Sequence, residues 1–115
     1  MKRARAALFL SMALGAAGPC LAHAPSEREC REAGEFIYHA AQARDAGATR
    51  AFFVGKLEDD LAAIRAFPPS LRWFAQDAED EALLRSAVSA VFDHPQSDEA
   101  HRAAFESRCM KLAHR

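Results

Sequence analysis

The chain carries three cysteines, Cys20, Cys30 and Cys109, and which two stay together decides most of what it can fold into. Cys20 closes an N-terminal stretch with the layout of a secretory signal: Lys2, Arg3 and Arg5, then the apolar run Ala6 to Gly18, then small residues. The run is shorter than the about 20 apolar residues a bilayer span needs. An amphipathic surface helix would show a polar face that it lacks. Small residues stand where a signal peptidase requires them for a cut after Ala22 and again after Ala24. A cut after Ala24 would put Pro25 directly beyond the bond, where its ring removes the N–H and restricts the residue before it. The expected cut is therefore between Ala22 and His23, and Cys20 leaves with residues 1–22. Acylation of Cys20 as a lipid anchor is disfavoured by Pro19 immediately before it.

Residues 23–115 then form one domain, with 93 of the 115 residues, enough for a single small core and too few for two. Its two remaining cysteines lie 79 positions apart, and in the periplasm or outside the cell they are expected to form one disulfide. A bridge closing a loop of about 80 residues contributes roughly 4 to 5 kcal/mol on the chain-entropy account. Loss of the leader removes 3 of the 15 basic residues and none of the 16 acidic ones, leaving 12 against 16, a net charge of −4 with neutral histidines. No basic cluster survives, which argues against nucleic acid or an anionic membrane surface as partner. No membrane span is expected in the mature form.

Alanine is abundant while Val, Ile and Thr are scarce, a composition that favours helix throughout. Ser26 followed by Glu29 is a capping box that starts a first helix running to about Ala46, where Gly47 takes a left-handed stop. Its inner face is Cys30, Ala33, Gly34, Ile37, Ala41 and Arg44, mostly small, which permits close helix approach. Thr49 caps a second helix over 50–66 with the stripe Phe53, Leu57, Leu61 and Ile64, ended by Pro68 and Pro69. Asp60 falls on the flank of that stripe, as a boundary carboxylate paired with a neighbouring arginine or, as the alternative, a functional acid. Asp77 and Asp80 cap a third helix carrying Leu83, Leu84, Ala87, Val88, Val91 and Phe92, which stops at 93–95. Ser97 starts a fourth, whose face is His101, Phe105, Cys109 and Leu112. The expected fold is a small all-α antiparallel four-helix bundle closed by a Cys30–Cys109 disulfide.

If the first and last helices run antiparallel from that bridge, Arg44 faces the turn at 93–98. A guanidinium pointing inward there needs acceptors, from Asp93, Asp98 or the last carbonyls of the third helix. Arg44, Gly47 and Trp73 are the residues assigned structural roles. The segment Phe67 to Phe74, "FPPSLRWF", joins a proline pair to Leu71, Trp73 and Phe74. It reads as an aromatic plug over one end of the core, with an exposed docking surface made of Phe67, Leu71, Trp73 and Phe74 as the alternative.

Catalytic signatures do not emerge. The mature cysteines are too far apart for a redox pair or haem attachment, and no phosphate loop, zinc-protease or nucleophile-elbow motif is present. The carboxylate runs Glu58, Asp59, Asp60 and Asp77, Glu79, Asp80, Glu81 read as capping or solvated groups. His94 and His101, with Asp98, are the residues a small metal-binding protein or hydrolase would use, but they lack a specified third ligand. The α-amine and imidazole of a terminal His23 would make a pair of the kind that chelates copper. No resident cofactor or metal is expected. In outline the chain is similar to the small acid-activated periplasmic chaperones, which are also short exported helical chains with one disulfide; the likeness is one of architecture and carries no site residues. The absence of a catalytic signature points to a non-catalytic role, as accessory subunit, inhibitor or chaperone-like protein, toward a protein partner in the cell envelope; the likeness implies the chaperone-like form of it.

Intact-mass measurement of the exported protein is expected to show a chain that begins at His23 and weighs about 2 Da less than its reduced form, the two hydrogens lost to one disulfide.

Overall fold

A computed structural model describes residues 23–114. The expected leader, residues 1–22 with Cys20, lies outside the described residues. Four α-helices follow one another: α1 (Glu27–Asp45), α2 (Arg50–Ile64), α3 (Ala78–Asp93) and α4 (Asp98–Ala113), with a short 3-10 turn at Pro69–Leu71. Each helix starts where a side chain accepts from the backbone three residues on. Ser26 accepts from Glu29, Thr49 from Phe52, Asp77 from Asp80 and Ser97 from Ala100, and the boxes at 26–29 and 77–80 are reciprocal. At the end of α1, Gly47 has φ 107°, a left-handed conformation that suits glycine. α2 ends at Ile64, two residues before the expected stop, and an irregular segment of Arg65 to Asp77 carries the chain to α3.

α1 is the hub, packing most extensively on α4 and then on α3, while α2 leans on α3. The α1–α4 pairing is antiparallel along its whole length. The His114 ring meets Glu27 at 3.3 Å, Cys30 is bonded to Cys109 with Cα atoms 5.6 Å apart, Arg102 lies over the Tyr38 ring at 4.7 Å, and Arg44 donates to the Gln96 carbonyl at 2.8 Å. Each step forward on α1 is matched by a step back on α4. Between the bridge and Tyr38, Gly34 faces Glu106 so closely that an added Cβ would lie 2.6 Å from the glutamate Cγ. The small inner face of α1, buried at Cys30, Ala33, Gly34, Ile37, Ala40 and Ala41, is what lets α4 come this near.

The core is completed by Leu57 and Leu61 of α2, Leu84, Val88 and Val91 of α3, and Phe105 of α4. A continuous run of rings threads every element: Phe92 to Phe53 to Phe36 to Trp73 to Phe74 to Phe105, with successive centroids 5.7 to 6.2 Å apart. α2 is also held electrostatically. Arg65 grips Glu81 through two N–H donors at 3.1 and 2.7 Å, and Arg85 grips Glu58 at 2.6 and 3.0 Å while reaching Glu81 at 3.2 Å. The Arg65 hydrogen bonds hold the Glu81 carboxyl below its usual range although burial opposes this, and Arg85 does the same for Glu58.

Two expectations about carboxylates are corrected. Glu81 is buried rather than solvated, because arginines meet it, and Asp80, which caps α3 as expected, does so from a buried position where the Gln76 amide also donates to it. Asp60 stays exposed beside Lys56, one turn earlier on its own helix at 3.8 Å, and not beside an arginine.

The approach at Gly34 sets a test. Alanine in a helix is favoured over glycine by about 0.5–1 kcal/mol. With Glu106 shortened in an E106A background, Gly34→Ala is expected to show that gain in urea unfolding. In the otherwise native chain the displaced Glu106 side chain is expected to cancel or reverse it.

Candidate functional site

The segment from Phe67 to Phe74 is built around one side chain. Arg72 donates to the carbonyls of Phe67 at 2.6 Å, Arg65 at 3.2 Å and Gln76 at 3.4 Å, drawing both flanks of the loop toward its guanidinium. Pro69 sits in the first position of the 3-10 turn, closed by Leu71 N–H to Pro68 at 2.8 Å and Arg72 N–H to Pro69 at 3.0 Å. Trp73 then adopts φ 61°, left-handed backbone that costs a bulky residue roughly 1–3 kcal/mol. Its ring is returned to the interior, edge-on to Phe36 and Phe74.

This conformation divides the four candidate residues. Phe74 is fully buried and Trp73 half-buried, so Phe74 is core and no part of a surface. Phe67 and Leu71 stand out in solvent, 53% and 68% exposed. Trp73 and Phe74 thus pack inward while Phe67 and Leu71 of the same segment stay exposed. Phe52 of α2 is a third large apolar side chain left outside, 65% exposed.

Arg44 lies at the α1–α3–α4 junction. It donates to the carbonyls of Val91 and Gln96, each at 2.8 Å, and to the neighbouring Asp45 carboxylate at 2.8 and 3.0 Å. The carboxylates of Asp93 and Asp98 are used elsewhere: Asp93 binds Arg50, and Asp98 accepts from the Glu99 amide. Next to Arg44, His101 is buried, and its Nε2 accepts from the Gln96 amide at 2.9 Å. That bond requires an unprotonated Nε2, and burial, followed by the Arg44 charge, lowers the His101 pKa from its ordinary value. His94 caps the end of α3 and is exposed. His101 thus serves the turn, and His94, His101 and Asp98 do not converge as ligands. Among the described residues no group of three or more His, Cys, Asp or Glu side chains is placed to hold a metal ion.

A cluster around His23 was not expected. The His23 backbone N–H donates to Asp77 Oδ2 at 2.9 Å, Nδ1 lies 2.7 Å from Asp80 Oδ2, and Nε2 lies 3.1 Å from Glu29 Oε1. Only the two capping boxes could have announced it, since Glu29, Asp77 and Asp80 are their members.

Among these residues the geometry assembles no nucleophile with a base and no metal centre; the class defined by the fold is a small disulfide-closed helical bundle. Comparison with protein-family models, curated proteins and solved structures finds no match to this chain.

The buried neutral histidine generates a pH prediction. An unfolded histidine titrates near about pH 6.5. Its lowered pKa in the fold means that stability tied to neutral His101 is complete above that value and is lost as pH falls below it, until the folded-state pKa is reached. Between pH 7 and 5, above the carboxylate range, the native chain is expected to lose more stability by chemical denaturation than His101→Gln does.

Proposed function

We propose that the protein is an exported helical module that acts without catalysis, by docking a protein partner in the cell envelope through the apolar rim of Phe67 and Leu71. The observation that carries this reading is the exposure of two large apolar side chains on a loop that Arg72 and the proline pair hold stiff. A preorganised patch loses little entropy on binding, and large exposed apolar side chains at one place are the usual mark of contact surfaces. The signal-like N-terminus and the disulfide support the placement outside the cytoplasm. The acidic mature balance, 12 basic residues against 16 acidic ones, supports a protein partner over nucleic acid.

A photo-crosslinking residue placed at 67 or at 71 in intact cells tests it. The expected result is one discrete crosslinked species at both positions, absent when the crosslinker is moved to Asp59, and lost for the position-71 probe in a Phe67→Ser background. Phe67 and Leu71 are both exposed, so substitution at either is expected to leave the helical circular dichroism unchanged. Equal labelling from Asp59, or labelling indifferent to Phe67→Ser, would remove the rim from the account.

A further inference from the structure

His23 sits between the capping boxes of two helices. Glu29 closes the box of α1 and Asp77 with Asp80 forms the box of α3, so three carboxylates that organise helix starts also face one residue of the chain's leading edge. The segment is packed down rather than trailing: Pro25 is buried, the His23 side chain is 15% exposed, and that of Asp80 is 3% exposed. Asp80 Oδ2 also accepts from the Gln76 amide at 2.9 Å, and Gln76 Nε2 reaches Glu29 Oε2 at 3.4 Å. Both ring nitrogens of His23 lie within hydrogen-bond distance of carboxylate oxygens, Nδ1 of Asp80 and Nε2 of Glu29.

The backbone nitrogen has the same surroundings. In an uncut chain it is a neutral amide with one N–H, directed at Asp77 Oδ2. Hydrolysis of the Ala22–His23 bond takes up one water, leaves a carboxylate on Ala22 and turns this nitrogen into an ammonium with three N–H donors. Such a charge-assisted bond is shorter and stronger than its neutral counterpart. A cut after Ala24 would instead discard His23 and leave the buried Asp80 carboxylate without its imidazole partner, a costly outcome.

We propose that Glu29, Asp77 and Asp80 form a socket for the protein's own mature N-terminus, so that removal of the leader before His23 tightens the fold. The inference rests on the reading of residues 1–22 as a cleaved leader, and it selects between the two cutting points available to the peptidase. The charges in the socket come from both helices packed on it: Glu29 from α1, and Asp77 and Asp80 from α3. Burial raises the Asp80 carboxyl, whereas at Asp77 the Asp80 and His23 N–H groups outweigh the opposing effect of burial and lower it. An ammonium has a folded-state pKa raised by such partners, so its contribution is complete below its unfolded value of about 8 and is lost as pH rises through the folded one.

Ligation of a synthetic 23–29 peptide to a recombinant chain beginning at Cys30 supplies the protein with either a free or an acetylated α-amine. At pH 7 and low salt, acetylation is expected to raise the unfolding equilibrium constant about five- to tenfold, the difference between a neutral and a charge-assisted hydrogen bond. The gap is expected to close near pH 11, where the amine is neutral, and to shrink in Asp77→Asn, which keeps a capping side chain but loses the charge. Equal stability of the two forms at pH 7, or a gap unchanged in Asp77→Asn, overturns the socket. The intact mass of the exported protein separates the two ideas. A start at Pro25 overturns the socket while leaving export intact, and an uncut or lipid-bearing chain overturns the leader reading itself.

Discussion

The antiparallel seam between α1 and α4 is the constraint on which the rest depends. It joins the two ends of the domain, so its register determines where every intervening element must return. The bridge at Cys30 and Cys109 pins one point, and the fixed register then carries the partnership to Arg44 and Gln96 at the far end. The small residues of the α1 face each bury little apolar area, and the larger buried side chains of this pair are Ile37 and Phe105. The disulfide adds to their effect by restricting the unfolded chain. Small residues and the covalent link are therefore two halves of one solution: the former bring the backbones close, the latter keeps them in step.

Polar groups inside this core are few, and each is answered by a backbone group or an opposite charge. Arg44 uses the carbonyls at the end of α3 and in the 93–98 turn, where the helix dipole also favours a cation. His101 accepts from the Gln96 amide beside it, so one turn is tied from both α1 and α4. Glu81 receives two arginines, one of them from the loop after α2. Because α2 touches the hub only weakly, it is fastened by the buried Leu57 and Leu61, by the ring contacts of Phe53 and by these ion pairs. Their partial exposure makes them worth less than their number suggests, so α2 is the element expected to loosen first.

Local signals in the sequence were strong because capping chemistry is local. Ser26, Thr49, Asp77 and Ser97 each stand where a helix begins, and periodic apolar positions such as Leu57 and Leu61 are inside. With one cysteine near each end, the bundle and its closure were legible too. The bridge also fixed the α1–α4 register, so the tie from Arg44 to the 93–98 turn was legible, whereas distant contacts not set by that register were not. Nothing in the neighbourhood of Asp80 or Glu81 distinguishes a solvated cap from a buried acid; that depends on His23, 57 residues away from Asp80, and on Arg65. Phe36 lies one position off the small face of α1 and gave no periodic signal, yet it links Phe53 to Trp73. Within the candidate surface, composition marked the segment, but which of its aromatics turn inward was decided by a single backbone torsion.

That torsion explains why an apolar rim survives beside an apolar core. Left to collapse, Phe67, Leu71, Trp73 and Phe74 would all gain by burial, each large side chain by about 1.5–3 kcal/mol. The proline pair prevents the loop from curling far enough for this, since proline holds φ near −65° and offers no N–H. Arg72 then clamps the carbonyls on both flanks, and the chain reverses at Trp73 through a conformation most side chains avoid. The reversal sends Trp73 and Phe74 into the ring stack and leaves Phe67 and Leu71 behind on the outer side. Strain at Trp73 is offset by the packing it makes possible, and the exposed pair is its structural consequence. A substitution that relaxed this position, such as Trp73→Gly, would remove both the strain and the ring that offsets it, while the Arg72 clamp and the packing of Phe74 on Phe105 do not depend on the Trp73 side chain.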